Sequence, residues 1–284
     1  MQSHLILLIG TIFLFNACTE EPFKWSSQYD LSIMSFNIRY DEPADGENQW
    51  SNRKESILEM WSITNPSIVG IQEGLYHQVE FLKDNLTAYD YVGVGRDDGQ
   101  ISGEYAAIYY IEDHYEILET NRFWLSETPD IPSLGWDANN IRIVTWAHFK
   151  DIGQNRTFFV FNTHFDHKGK TAQEESAKLL AQKIQEIVTS DIPVFITGDF
   201  NVLISNSIMK HITEDFFDAR RFADNTDNEQ SFNLWGKWWF PNRNIDFIFY
   251  KNIHALAFRT VIEDYGVPYI SDHYPLITHF NYLD

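Results

Sequence analysis

The sequence is poor in cysteine and in basic residues. Its 284 residues include one cysteine, Cys18, so no intrachain disulfide can form and stability must come from the buried core. The hydrophobic content of 44% is enough for such a core in one large α/β domain. Only 21 Lys and Arg residues stand against 41 Asp and Glu residues, a formal net charge of -20. This acidic excess argues against binding by neutralisation of many nucleic-acid phosphates and suits a solvated surface.

The N-terminal apolar run, from Leu5 to Phe15, is too short to cross a bilayer. It leads into Ala17-Cys18 and predicts a signal peptide over residues 1–17, which resembles a bacterial lipoprotein signal with Cys18 as the lipidated residue. A plain secretory signal with an unmodified cysteine is the alternative. Residues 18–28 are interpreted as a tether, so we expect secretion across the inner membrane and a lipid anchor, with the protein facing the periplasm or the cell surface.

From Tyr29 onward, short runs rich in β-branched and aromatic residues alternate with helical patterns, which is typical of a mixed α/β domain. No repeat or low-complexity linker divides this part, so residues 29–284 are interpreted as one domain. Helices are predicted over Arg53 to Ile63, Val79 to Leu86 and Thr171 to about Thr189. The predicted strands are Leu31 to Ile38, Ser67 to Gln72, Tyr105 to Tyr110, Arg142 to Phe149, Thr157 to Thr163, Pro193 to Thr197, Asp246 to Tyr250 and Tyr274 to Phe280.

Polar side chains gather where several predicted strands end. They are Asn37, Gln72 with Glu73, His164 with Asp166 and His167, Asp199 with Asn201, and Asp272 with His273. Oxygen donors dominate and thiolates are missing, which favours Mg²⁺, Ca²⁺ or Mn²⁺ over Zn²⁺. Taken singly, Asp199 fits a turn that bonds its own backbone, His164 a strand-end histidine, and Glu73 a helix N-terminus. Their joint occurrence predicts a catalytic site.

Six motifs carry a more specific signal. They are Ser35-Phe36-Asn37, Gln72-Glu73, Asn162-Thr163-His164, Gly198-Asp199-Phe200-Asn201, Ile245-Asp246-Phe247-Ile248 and Ser271-Asp272-His273-Tyr274-Pro275-Leu276. In order and rough spacing they resemble the motif set of the endonuclease/exonuclease/phosphatase superfamily, over nearly the whole chain from Tyr29. Segments 45–53, 93–99, 123–129 and 135–137 resemble a bacterial lipoprotein branch related to deadenylase-like members. The resemblance implies an α/β, DNase I-like four-layer sandwich, in which two mixed β-sheets pack face to face between helices.

The resemblance also implies a metal centre at the loops on one edge of the sandwich. Glu73 would be the principal ligand of Mg²⁺ or Mn²⁺, with Asn37 and Asp272 close to the metal or its waters. A single carboxylate together with substrate phosphate is a typical magnesium arrangement. The cofactor expected from the resemblance is therefore Mg²⁺ or Mn²⁺.

Catalytic roles follow from the same resemblance. Asp199 would align and deprotonate the attacking water, and Asn201 would hold that water or a phosphate oxygen. His164 and His273 would donate to the non-bridging oxygens, and Asp246 would orient His273 and favour its charged form. In-line attack on phosphorus builds charge on the surrounding oxygens, and a metal with two histidines is placed to stabilise it.

Substrate contacts are sought among arginines and tryptophans, because arginine grips phosphate bidentately and tryptophan stacks on a base or sugar ring. The candidates are Arg39, Arg96, Arg142, Trp136, Trp235, Trp238 and Trp239. For each tryptophan, packing in the core or a loop is the alternative. We expect a monomer that hydrolyses a small or glycan-linked extracellular phosphoester. A nuclease acting on RNA or DNA, and a catalytically silent surface binding lipoprotein, are the competing hypotheses.

Overall fold

The structure is a computed structural model that describes residues 28–237 and 243–283. The predicted signal peptide, nearly all of the tether with Cys18, and the tryptophan pair Trp238 and Trp239 lie outside the described residues. Within these ranges, no helix combines the length and the apolar character needed to cross a membrane.

The described residues form two mixed six-stranded β-sheets. The first sheet contains β1 (Leu31–Asn37), β2 (Ile68–Gln72), β3 (Tyr89–Val92), β4 (Ile108–Ile111), β11 (His254–Thr260) and β12 (Leu276–Asn281), in the order β11-β12-β1-β2-β4-β3. The second contains β5 (Tyr115–Trp124), β6 (Ile143–Asp151), β7 (Arg156–His164), β8 (Val194–Asp199), β9 (Phe217–Asp218) and β10 (Asp246–Lys251), in the order β5-β6-β7-β8-β10-β9. The pairs β1 with β2 and β7 with β8 are parallel, and the other pairs are antiparallel.

Helices cover the outer faces of both sheets. They are α1 (Trp50–Thr64), α2 (Tyr76–Asn85), α3 (Lys170–Ile187) and α4 (Lys210–Thr213), whereas the short α5 (Ala219–Phe222) packs on the cluster between the sheets. Turns of 3-10 helix lie at Pro43–Asn48, Ser207–Met209 and Leu234–Gly236. Trp61 of α1 is buried in one cluster with Met34 of β1, and Leu180 of α3 in another with Phe161 of β7. A third cluster fills the space between the sheets. The predicted four-layer sandwich is therefore present.

Strand pairing brings the ends of the central strands to one edge of the sandwich. Asn37 at the end of β1 lies opposite Gln72 at the end of β2. In the second sheet, Asp199 at the end of β8 lies opposite both His164 and Asp246. Parallel strands end at the same edge of a sheet, and β1 and β2 face β7 and β8 across the core. The polar residues that follow these strands are thereby collected at one place.

Candidate active site

Asp199 occupies the centre of this edge and is 2% exposed. Its Oδ1 accepts a hydrogen bond from the backbone N of Asn201 at 2.9 Å, and its Oδ2 accepts one from Asn37 Nδ2 at 3.1 Å. Burial and the neighbouring charge of Asp246 raise the pKa of Asp199 to about 7. A carboxylate with such a pKa is suited to accept a proton near neutral pH.

His273 and Asp246 form a buried pair beside Asp199. Nδ1 of His273 lies 2.9 Å from Asp246 Oδ2, and Nε2 lies 3.7 Å from Asp199 Oδ2. Burial opposes a charge on this imidazole, but the carboxylate of Asp246 outweighs it and raises the pKa of His273 to about 10. The predicted pairing of Asp246 with His273 is present, and the ring carries a positive charge that faces Asp199.

His164 differs from His273 in its electrostatic surroundings. Burial, and then the positive charges of Arg142 and Arg96, lower the pKa of His164 well below its ordinary value. Its Nε2 lies 3.0 Å from the Nδ2 of Asn201, which also donates to the carbonyl of Phe165. The Nδ2 of Asn201 is a donor, so Nε2 of His164 accepts in this contact, and the lowered pKa favours the neutral ring. Its predicted contact with a phosphate oxygen stays a prediction.

Glu73, the predicted principal metal ligand, lies close to His164 and Asp199. Glu73, His164 and Asp199 each offer one ligand atom, and these atoms lie within 4.8 Å of one another. Asn37 Nδ2 donates to Glu73 Oε1 at 3.0 Å, so its amino group faces the carboxylates while its Oδ1 accepts from the backbone N of Arg39. Asp272 is 7% exposed and its pKa is raised by burial. These clustered oxygen donors fit a hard divalent cation, and Asn37 fixes two carboxylates in this arrangement.

The backbone around the cleft adopts an unusual conformation at several functional positions. Arg39, Glu73, Asn201 and Trp235 have φ values of 57°, 65°, 51° and 56°. Residues other than glycine rarely adopt this left-handed backbone conformation. Those that do cluster at functional sites, where the surroundings hold them in place. All four line the cleft: Arg39, Glu73 and Asn201 lie in the turns after β1, β2 and β8, and Trp235 lies in the 3-10 turn Leu234–Gly236.

Two sets of buried polar residues hold the site together, and sequence reasoning did not assign them this role. Arg53 is 1% exposed and donates to the carbonyls of Ile38, Arg39 and Ile270, which ties α1 to the loops after β1 and before Asp272. Gln72 Nε2 donates to Asn162 Oδ1 at 2.7 Å across the two sheets. The motif positions of Gln72 and Asn162 were a signal, but the bond between the sheets was not visible in the sequence.

The site opens into a cleft of about 600 Å³. All the predicted catalytic side chains except Asp246 line its wall, and Asp246 lies behind His273. Of the predicted substrate contacts, Arg39, Arg96 and Arg142 line the cleft and Trp136 does not. Trp235 is the tryptophan on its wall within the part of the chain that the structure describes. The other wall residues are Tyr40, Asp45, Glu73, Glu104, Asn140, His167, Phe232, Leu234, Lys237, Ile245 and Asp272.

Comparison with known families decides the assignment. The model of the Endonuclease/Exonuclease/phosphatase family matches residues 34–273. The chain belongs to this family. Endonuclease/exonuclease/phosphatase proteins are hydrolases that act on phosphoesters, with phosphatases and nucleases among them, and they typically depend on a divalent metal. The family predicted from the six motifs is confirmed, whereas the assignment to a lipoprotein branch stays a prediction.

Solved structures of this family match nearly the whole domain. An endonuclease/exonuclease/phosphatase from Bacteroides vulgatus is 38% identical, with a TM-score of 0.84, over 89% of this chain and 99% of that one. A mannosyl-6-phosphatase from Bacteroides thetaiotaomicron is 35% identical, with a TM-score of 0.85, over 89% of this chain and 100% of that one. The catalytic domain of human Nocturnin, 19% identical with a TM-score of 0.71 over 89% of this chain and 93% of that one, shares the fold. The predicted DNase I-like fold is confirmed.

A curated viral relative matches a smaller part. An uncharacterized protein of Acanthamoeba polyphaga mimivirus is 30% identical over 164 residues, which are 54% of this chain and 59% of the relative. The match therefore spans less than two thirds of the viral protein.

Proposed function

We propose that the chain is a Mg²⁺- or Mn²⁺-dependent phosphatase that hydrolyses a small or glycan-linked phosphoester by in-line attack of water. The observation that carries this proposal is the assembly of Glu73, Asp199, Asn201 and His273 at one cleft. Each group supplies a distinct requirement of phosphoester hydrolysis: a metal ligand, a proton acceptor, a positioning amide and a cation.

The charges of the buried groups support a division of labour. Asp199 is held by Asn37 and the backbone N of Asn201, so its carboxylate is oriented to accept a proton from the attacking water. His273, kept protonated by Asp246, donates from Nε2 to a phosphate oxygen. Glu73 would hold the divalent cation, with the carboxylate of Asp199 nearby and Asp272 close by. A cation bound there supplies charge stabilisation to the phosphate oxygens.

The preference for a sugar phosphate rests on similarity and on charge. The mannosyl-6-phosphatase of Bacteroides thetaiotaomicron is 35% identical to this chain over that protein's full length. The net charge of -20 disfavours a long polyanion, whereas a compact phosphate needs only the groups of one cleft. Trp235 on the cleft wall offers an aromatic face on which a sugar ring can pack.

We further propose a monomer that is secreted across the inner membrane and held at a membrane by a lipid on Cys18. Leu31 begins β1, and Asn37 ends it at the active site. At about 3.3 Å per residue, the start of β1 lies roughly 20 Å from the cleft edge. A tether at that end would leave the cleft directed away from the membrane.

The test is a hydrolysis screen on the full chain with Mg²⁺, Mn²⁺ or EDTA. The substrates are mannose 6-phosphate, p-nitrophenyl phosphate, bis(p-nitrophenyl) phosphate and poly(A). We expect metal-dependent release of phosphate from the monoesters, loss of activity in EDTA, and a melting temperature that changes little, because the core is built without the ion. Full activity in EDTA, or faster cleavage of poly(A) than of the monoesters, would contradict the proposal. Absence of hydrolysis with every substrate would favour the silent binding protein.

A further inference from the structure

The three arginines of the cleft differ in their partners. Arg39 makes a bidentate contact with Asp45, at 2.8 and 3.0 Å, and Arg96 makes one with Glu104, at 2.5 and 2.8 Å. In both contacts a carboxylate occupies two N–H groups of the guanidinium, which leaves little capacity for another anion. Arg142 has no such carboxylate hydrogen bond within residues 28–237 and 243–283.

Arg142 is buried at the cleft wall with part of its donor capacity unused. Its side chain is 4% exposed, and neither Nε nor Nη1 has a hydrogen-bond partner among the described residues. Its nearest carboxylate oxygen, Asp166 Oδ2, is 3.7 Å from Nε. Asp166 already accepts four backbone N–H groups, from Asn139, Asn140, Lys168 and Gly169. A buried guanidinium with unpaired N–H groups is costly, so the site is suited to an acceptor that arrives with the ligand.

His167 completes this part of the wall. Its Nδ1 lies 3.3 Å from Arg142 Nη2, and its side chain is exposed to the cleft that Arg142 lines. His164 lies between the hydrolytic centre and Glu104: its Nε2 is 3.5 Å from Asp199 Oδ2, and its Nδ1 is 3.9 Å from Glu104 Oε2. Arg142 and Arg96 both line the small pocket on that Nδ1 side. The carboxylates of Glu73 and Asp272 thus line one part of the cleft wall, and Arg142, with unused donors, lines another.

We propose that Arg142 and His167 form a second anion-binding subsite, which receives a phosphate or carboxylate that the substrate carries besides the hydrolysed ester phosphate. This inference rests on the proposed phosphatase function and specifies its substrate class as sugar derivatives with two separate anionic groups, such as bisphosphates or phosphorylated sugar acids. Arginine is the side chain best suited to this recognition, because its planar N–H groups match both phosphate and carboxylate oxygens.

The test compares three substrates with the same sugar configuration. They are glucose 6-phosphate, glucose 1,6-bisphosphate and 6-phosphogluconate, each hydrolysed by the full chain with Mg²⁺. We expect the wild type to have a kcat/KM about tenfold or more higher for at least one of the two substrates with a second anion, because a charged contact discriminates on that scale. The bisphosphate and the sugar acid distinguish a phosphate-binding from a carboxylate-binding subsite.

Variants then locate the preference. Arg142→Gln and His167→Asn should reduce the ratio of kcat/KM values toward one, and Arg142→Lys, which keeps the charge but not the planar fork, should give an intermediate ratio. Lys168→Gln is the matched control, since it removes an exposed charge next to His167 and should leave the ratio unchanged. If Arg142→Gln does not fold, His167→Asn and Arg142→Lys carry the comparison.

Three outcomes would overturn the inference. One is an equal kcat/KM for all three substrates. In that case the subsite proposal fails, but hydrolysis of the substrates still supports the phosphatase proposal. Another is an equal loss on all three in Arg142→Gln, which would assign Arg142 to the reacting phosphate. If nothing is hydrolysed, the phosphatase proposal fails, and binding of inorganic phosphate in EDTA tests the subsite by itself. The measurement is the rise in melting temperature when phosphate is added. A rise that is lost in Arg142→Gln but kept in His273→Asn supports the subsite, and a rise that is kept in Arg142→Gln but lost in His273→Asn refutes it.

Discussion

His273 and His164 are both buried at the active site, yet their pKa values move in opposite directions. For His273, the carboxylate of Asp246 at 2.9 Å outweighs burial and raises the pKa to about 10. For His164, burial acts together with the charges of Arg142 and Arg96, and the pKa falls. Equal depth of burial thus gives opposite charge states, because the partner decides which form is stabilised.

Asp199→Asn tests the assignment of the proton acceptor. The amide cannot take the proton of the attacking water, so we expect turnover to fall by on the order of a hundredfold or more. The melting temperature should change little, because the side chain keeps its shape and its amide oxygen can still accept from the backbone N of Asn201, while the bond from Asn37 is lost together with a buried charge. The measurement is kcat on p-nitrophenyl phosphate with a thermal melt. Asp113→Asn at an exposed position is the control, and near-normal turnover in Asp199→Asn would remove Asp199 from the mechanism.

Asp246→Asn tests the electrostatic pairing. Loss of the carboxylate lowers the pKa of His273 from about 10, so the alkaline limb of the activity profile should move to lower pH and turnover should fall. In the wild type the raised pKa also adds stability that is complete below the unfolded value of 6.5 and disappears as pH rises through about 10. The free energy of unfolding of the variant should therefore depend less on pH between these values. A pH profile identical to that of the wild type would contradict the pairing.

At the scale of elements, the sequence predicted the interior of the sheets and missed their borders. All eight predicted strands correspond to observed ones, and the four missed strands, β3, β5, β9 and β11, are the edges of the two sheets. In β5, residues 118–122 include exposed polar side chains, so no continuous apolar run marks the strand. Central strands are buried on both faces and read as apolar runs, whereas edge strands do not.

The site shows a similar division between what motifs reveal and what only the fold reveals. The order of the motifs was sufficient to bring Glu73, Asp199 and His273 into one prediction. It gave no sign that Arg53 would bridge three backbone carbonyls or that Trp136 would lie off the cleft wall. These features depend on the distance between segments far apart in sequence, and no local pattern encodes that distance.

Asn162→Leu tests the polar bridge between the sheets. Asn162 Oδ1 accepts from Gln72 Nε2 and Thr197 Oγ1, at 2.7 and 2.9 Å, and its Nδ2 donates to two backbone carbonyls. A leucine would remove these four buried hydrogen bonds, so we expect the free energy of unfolding to fall by about 3 kcal/mol or more. Thr197→Val, which removes a single donor, should cost about 1 kcal/mol. Denaturant titration measures both, and equal small losses would show that the bridge does not stabilise the sandwich.

At the scale of the whole molecule, cationic side chains meet at the cleft of an otherwise acidic chain. The formal net charge is -20, yet Arg39, Arg96 and Arg142 all line this one cleft. The same wall also carries Lys237 and five carboxylates, Asp45, Glu73, Glu104, Asp199 and Asp272, so its positive charges are local and largely compensated. Such an arrangement can contact one compact anion but offers no continuous cationic track for a polymer.

This distribution of charge predicts how activity responds to substrate size and to salt. A protein that binds duplex DNA neutralises several phosphates at once and releases their counterions. Its affinity falls steeply with salt, because this release becomes less favourable as the salt concentration rises. The compact substrate of this cleft contacts a few buried groups, which salt screens much less. We expect higher kcat/KM on mannose 6-phosphate than on duplex DNA, and a change of less than about threefold for the sugar phosphate between 50 and 200 mM salt. Assays of both substrates across that range measure the effect, with Asp199→Asn as the blank for contaminating nuclease. Efficient duplex cleavage that declines steeply with salt would instead support the nuclease hypothesis.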